Sequence, residues 1–347
     1  MKTIGYIRTL AAALLLLLCP LTTRAQEAEA ELDIPEVIFG HILDSYEWHL
    51  TDELGPVHLV LHLPVIVHSP STGWSVFSSR RLEGGAEWKG YHIAPSGDKN
   101  EGKVVDSEGN RPFDISITKN VLSLMMSSTL LLLVILLTAR WYRRHDATKE
   151  APRGIAAWME PVVMMVHNMA RTNIGEEDYK RYSPFLCMAF MFILLNNFLG
   201  IIPFFPGGAN LTGNIAITLF LALCTFFTVN LFGNKQYYKD IFLPDVPGFL
   251  KPIMPIIEVF SAFMKPVSLT IRLFANMMAG HILVLSLVCI IFVMAKYGGV
   301  LLGSMSVVSV AFGIFCDVLE CLVAFIQAYV FTMLSSIYIG LSRQSEE

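Results

Sequence analysis

Five side chains in the C-terminal third interrupt sequence that is otherwise strongly apolar: Arg272, His281, Asp317, Glu320 and Gln327. An arginine in the centre of a membrane helix costs at least ~2.5 kcal/mol, and its pKa is too high for it to escape by losing its proton. A permanent cation, a group that titrates near neutral pH and two carboxylates, all within apolar helices, make up what a proton relay through a low-dielectric region requires. The bland alternatives are an arginine that only ties helices together and a histidine that is a hydrogen-bonded core residue. At roughly 100° per residue, the spacing of Arg272 and His281 puts them on opposite faces of one helix. Glu320 and Gln327, two turns apart, share a face, and Asp317 lies one turn before Glu320.

The elements that must position these groups are two long apolar stretches within 254–342, joined at Lys296, Tyr297 and Gly298. Each would be on the order of 60 Å long as a continuous helix, twice a hydrocarbon thickness of roughly 30 Å, so each is expected to tilt steeply, bend or run partly along the interface. Upstream, 184–234 holds no charged residue and is broken in its middle by PFFPGGANLTGN, which predicts a helical hairpin in the membrane. A further uncharged run within 119–145 is followed at once by Arg140, Arg143 and Arg144, which marks its cytoplasmic end. The segment 154–171 repeats apolar residues at helical spacing but contains Glu160, Pro161 and His167, and reads as an amphipathic helix lying on the membrane.

With 54% hydrophobic and 16% charged residues, the chain reads as an all-α polytopic membrane protein of five membrane helices, the last two long and steeply tilted, with one interfacial helix. Residues 1–25 carry basic Lys2 and Arg8, a short apolar core and small Ala25, the pattern of a secretory signal peptide. Residues 26–118 are polar with alternating stretches such as VHLVLHLPVIVHS and WSVFSSRRL, and predict a small β-rich exported region. His58 and His62 would share a strand face there, but no cysteine or acidic partner at ligand spacing accompanies them, so no metal site is expected. The cysteines beyond the signal lie in apolar stretches and read as small core residues without disulfides. Five crossings from an outside N-terminus return the C-terminus to the cytoplasm of a bacterial inner membrane.

The stretch from Glu258 to Val284, EVFSAFMKPVSLTIRLFANMMAGHILV, closely resembles the signature helix of F-type ATP synthase subunit a. Lys265 to Leu269, Arg272, Leu273, Phe274, Asn276, Met277, Ala279 and Gly280 carry the likeness. The final helix adds Gln327, Ala328 and Phe331 through Tyr338, and NNFLGIIPFFP adds the hairpin's Asn-x-x-Gly-x-x-Pro element. The resemblance spans about Ala156 to Leu341, and the exported front part is similar to what is expected of Bacteroidota-type members. Many bacterial members carry Glu where His281 stands and His where Glu320 stands, so this pair looks exchanged, as in mitochondrial members.

The resemblance implies a stator subunit that forms two aqueous half-channels against a c-subunit ring, with peripheral-stalk subunit b and other ATP synthase subunits as partners in the lipid bilayer. Arg272 would separate the half-channels; His281, Glu320 and Asp317 would relay protons; Asn210 and Asn214 would hold water; Gln327 would hydrogen-bond Arg272, with Asn276 near the same face. Glu258 and Lys265 are candidates for the exit side. No nucleotide-binding loop, cofactor or nucleic-acid partner is expected, so ATP chemistry would belong to partner subunits and the chain is no enzyme by itself. A proton-coupled secondary transporter predicts an internal repeat, which is not seen, and an intramembrane metalloprotease would need a second ligand one turn from His281.

Overall fold

The computed structural model describes residues 38, 40, 42–49, 60–70, 73–95, 97–146, 149–202, 205, 207–243, 247, 250, 251, 253–295 and 299–343. The signal peptide, His58 and the joint at Lys296 to Gly298 lie outside them. Contacts divide the chain into two compact units. One comprises Ile42–Ile282 and Cys316–Glu347; the other includes Leu283–Phe315. All the candidate site residues belong to the first.

Among the described residues, the polar N-terminal region forms seven short strands: β1 Glu47–His49, β2 Val60–His62, β3 Pro64–Ser69, β4 Gly73–Ser78, β5 Tyr91–Ile93, β6 Val104–Asp106 and β7 Phe113–Asp114. They pair antiparallel as β1-β2, β4-β3-β7 and β5-β6. Pro64 opens β3 because a residue without an N–H fits the first position of a strand, and this splits the long alternating run into two strands in different sheets. Val65, Val67 and Phe77 point inward with Tyr46, Leu82, Tyr91 and Val104 to make a small core. Each such side chain contributes about 1.5–3 kcal/mol when fully buried. The SRRL sequence after β4 forms a 3₁₀ turn, Ser79–Gly85, with Leu82 buried, and does not extend the strand.

Seven described helices follow: α1 Lys119–Arg144, α2 Ile155–Ile174, α3 Tyr179–Ile201, α4 Ile215–Leu231, α5 Lys235–Phe242, α6 Met254–Ala295 and α7 Gly299–Arg343. Of these, α1, α3, α6 and α7 are each long and apolar enough to cross a membrane. A fifth span requires the α4–α5 pair, which bends by 98° at its break. The reason is length: the 17 residues of α4 rise only about 26 Å, and Gly233 and Asn234 interrupt the helix before Lys235. The segment read as interfacial becomes α2, whose Val166 and Ala170 pack toward α3 while Trp158 stays 84% exposed.

One core joins α2 through α7, with Leu186, Phe190 and Ile193 of α3 at its centre and Ala222, Leu269, Leu273, Ala328, Phe331 and Ile339 around them. Apolar helices gain little from burying one another in lipid, so close approach and interhelical hydrogen bonds decide the packing. Thr225 and Ser335 hydroxyls meet at 3.2 Å, Asn173 Nδ2 donates to Ser336 Oγ at 2.7 Å, and Asn197 Nδ2 donates to the Ala324 carbonyl at 3.1 Å. At Gly340 the backbone of α7 comes so near Asn173 that a Cβ would collide with its carbonyl oxygen. Arg343 closes the end of α7, its Nε 2.7 Å from Asp178 Oδ2 and its Nη1 donating to the Phe232 carbonyl at 3.0 Å. The five described cysteines are free.

Candidate functional site

The site is built where α3, α6 and α7 converge. On α6, Leu269, Leu273 and Met277 are buried in successive turns, and the same face carries Gly280 and His281 toward α7. On α7, Glu320, Ala324, Gln327 and Phe331 form the matching inward stripe. His281 Nδ1 lies 2.9 Å from Glu320 Oε1, with both side chains about nine-tenths covered. That separation allows a proton to be shared or an ion pair to form. In the present orientation the two atoms do not complete a hydrogen bond with each other, and neither has a hydrogen-bonding partner among the described residues.

Gly280 makes the approach possible, because a Cβ there would stand 2.7 Å from Glu320 Oε1. From the other side, a Cβ on Gly200 of α3 would reach the imidazole at 3.7 Å, an ordinary contact, so the end of α3 backs the ring. One turn earlier on α3, Asn197 is fully buried and its Oδ1 has no partner among the described residues; Asn196 Oδ1 and the Thr212 hydroxyl are buried in the same state. Unpaired buried oxygens are expensive, so each of these calls for a partner.

The remaining predicted residues fall in three settings. Arg272 and Asn276 are exposed on the face of α6 opposite the core, and Arg272 makes no hydrogen bond or ion pair among the described residues. Gln327 is buried and does not hydrogen-bond Arg272. Asp317 is exposed one turn from Glu320, outside the pair with His281. Asn210 is buried in the turn between α3 and α4, accepting from Gly213 N at 2.8 Å and approaching Met278 Sδ at 3.9 Å. Asn214 caps α4, its Oδ1 accepting from Ala216 N at 3.0 Å. Lys265 stands over the Tyr338 ring at 5.2 Å, and Glu258 is partly exposed without an ion-pair partner among the described residues.

Sequence reasoning placed the hairpin motif but not Asn197, Gly200 or Gly280 as parts of the site. The available signal was two consecutive asparagines in a charge-free hairpin, each costly to bury. Among the described residues no group of three potential ligands could hold a metal, and His62 pairs instead with Glu47 at 3.3 Å.

A family model described as ATP synthase A chain matches residues 124–340, from the second turn of α1 to the last turn of α7. The chain belongs to the ATP synthase subunit a family. It is 43% identical over 240 residues to ATP synthase subunit a of Chlorobium phaeobacteroides, covering 68% of this chain and 67% of that one. It is 41% identical over 261 residues to the Pelodictyon phaeoclathratiforme protein of the same name, covering 74% and 73%, and 41% identical over 236 residues to that of Myxococcus xanthus, covering 66% and 74%. Residues 37–123 match a separate model described as a domain of unknown function. Membership makes the chain a multi-pass membrane subunit of ATP synthase with the proton-channel stator role, not an enzyme by itself.

Proposed function

We propose that this subunit moves protons through two half-channels that meet at a c-subunit ring, with His281 and Glu320 relaying protons in the inlet and Arg272 keeping the half-channels apart. The observation that carries the reading is the division of labour on α6: the permanent cation is uncovered on one face, while the titratable pair is enclosed on the other.

A cation uncovered within an apolar helix needs an anionic partner outside the chain. A ring carboxylate passing Arg272 would be held ionised, because a fixed positive charge in low dielectric lowers a neighbouring carboxylate's pKa. A proton crossing directly would have to pass that charge, so it is carried around with the ring. In the inlet, a proton arriving at Glu320 or Asp317 passes to His281 and on to the ring. Asn197, Asn210 and Asn214 offer amide groups to water along the way, although Asn210 and Asn214 also hold the turn and cap α4. Gln327, buried on the Glu320 stripe, lines the wall between α6 and α7, Asn276 extends the polar face of Arg272, and Glu258 and Lys265 lead to the exit. Each proton crossing about 100 mV delivers ~2.3 kcal/mol to the rotor.

In this reading the N-terminal β-region lies in the periplasm after a cleaved signal, α2 rests at the interface, and the C-terminus is cytoplasmic, in agreement with Arg140, Arg143 and Arg144 at the end of α1. Subunit b and the other stator components complete the assembly. The test is ATP-driven proton pumping in inverted vesicles bearing Arg272→Ala, beside passive proton leak after the catalytic head is stripped. Loss of pumping with retained or increased leak is expected; normal coupled pumping refutes the assignment.

A further inference from the structure

The N-terminal β-region has no role in the chemistry above, yet one short segment binds it to everything around it. Asp44 Oδ1 accepts from Asn120 N at 3.0 Å, and the Ser45 carbonyl accepts from Lys119 N at 2.9 Å, so both hold the first turn of α1. The Tyr46 hydroxyl donates to Asp114 on β7 and accepts from Val104 N on β6. Trp48, only 3% exposed, lies edge-on to Phe205 in the turn between α3 and α4, with ring centroids 5.2 Å apart.

Phe205 is itself 43% exposed, but the part of the turn that follows it is enclosed. Ala209, Asn210, Leu211 and Thr212 are all at most 3% exposed. Gly208 N returns to the Leu199 carbonyl at 3.2 Å, and Gly207 has no room for a Cβ against the Ile202 and Leu199 carbonyls. Asn210 then touches Met278, less than one helical turn before His281 on α6. A loop normally stays on the surface because its polar backbone needs water. Here an aromatic contact from a different part of the chain meets the turn whose Asn210 touches Met278 on α6.

We infer that residues 44–48 form a strap through which the N-terminal β-region positions the α3–α4 turn, and that Trp48 and Phe205 are positioning residues for the inlet wall. The inference rests on the inlet reading above and ties the β-region to proton uptake. Without the strap, the turn carrying Asn210 loosens, and the path to Glu320 and His281 loses its geometry. Edge-to-face aromatic contacts of this kind contribute beyond their buried area and depend on ring orientation.

The test uses the assembled complex in inverted vesicles. Passive proton conduction after removal of the head is measured for W48A, F205A, W48A/F205A and the conservative W48F, with subunit a content quantified in each membrane. Conduction is expected to fall about three- to tenfold in W48A and F205A, the double variant to be no worse than either single, and W48F to recover most of it. The pH profile read from the inlet side is expected to shift, while that from the opposite side stays. If W48A does not assemble, F205L, which keeps apolar bulk but loses the ring, carries the same comparison. Assembled W48A and F205A conducting as wild type, or losses that add fully in the double variant, overturn the strap and leave the proton-path reading intact. Wild-type vesicles that do not conduct after head removal overturn that reading itself.

Discussion

His281 and Glu320 meet at 2.9 Å across α6 and α7 because the residue next to His281 is a glycine. A titratable pair in a membrane interior therefore depends on the one neighbour that has no side chain. Gly280→Ala would drive a methyl group to 2.7 Å from Glu320 Oε1 and force the carboxylate to turn away. ATP-driven pumping is expected to fall about tenfold, equivalent to ~1.4 kcal/mol, with normal assembly. Unchanged pumping would mean that the carboxylate has another working position.

Single replacement of either partner, His281→Ala or Glu320→Gln, removes one member of the proposed proton relay and should lower coupled pumping about a hundredfold. Exchanging the two residues, H281E with E320H, keeps one imidazole and one carboxylate at the same contact. Its pumping is expected to return to within about tenfold of wild type, well above either single exchange. A double variant as poor as the singles would show that the polarity of the pair matters.

At the far end of α7, Gly340→Ala would place a methyl group against the Asn173 carbonyl, a backbone atom in the last turn of α2. Overpacking of this kind costs about 1–3 kcal/mol. A lower temperature of aggregation of the solubilised complex, together with reduced subunit a content, is the expected outcome. The same assay on Gly303→Ala, where nothing lies within 4 Å, should show almost no change.

In the β-region, burial and the hydrogen bond to Asp114 push the Tyr46 phenol well above its usual value. A raised folded-state pKa stabilises the protonated fold fully below the unfolded value of about 10, and that stabilisation is lost as pH climbs beyond it toward the folded value. Limited proteolysis of the β-region in membranes should therefore be flat from neutral pH to about pH 9.5 and rise above pH 10. Tyr46→Phe should remove this step while raising cleavage throughout, because Asp114 loses its donor. A step of the same size in Tyr46→Phe would assign the alkaline transition elsewhere.

Helical periodicity was enough to place Arg272 and His281 on opposite faces of α6, and to put Glu320 with Gln327 on one face of α7, because both statements concern a single element. Which side of α7 met α6 was not legible, since that depends on where small residues permit close approach. Gly280 and Gly200 are informative only once a neighbour is known. The expectation that Gln327 bonds Arg272 carried the one-dimensional reasoning too far: the two lie on helix faces that separate, one buried and one exposed. The hairpin was readable from its missing charges, whereas the 98° bend after α4 depends on a helix too short to finish its crossing. Trp48 gave no signal at all, because its partner Phe205 lies far along the chain in another kind of structure.

Arg272, uncovered on α6, also constrains how the protein is made. A newly inserted copy on its own would present a permanent cation to lipid, a burden of at least ~2.5 kcal/mol that an acidic neighbour relieves. Unassembled copies should therefore be short-lived in the membrane and open to proteolysis, and integration should be favoured where rings already exist. If Arg272 separates two proton paths as proposed, the same residue would make the subunit's survival conditional on its partner and match its abundance to the number of rotors the cell has built.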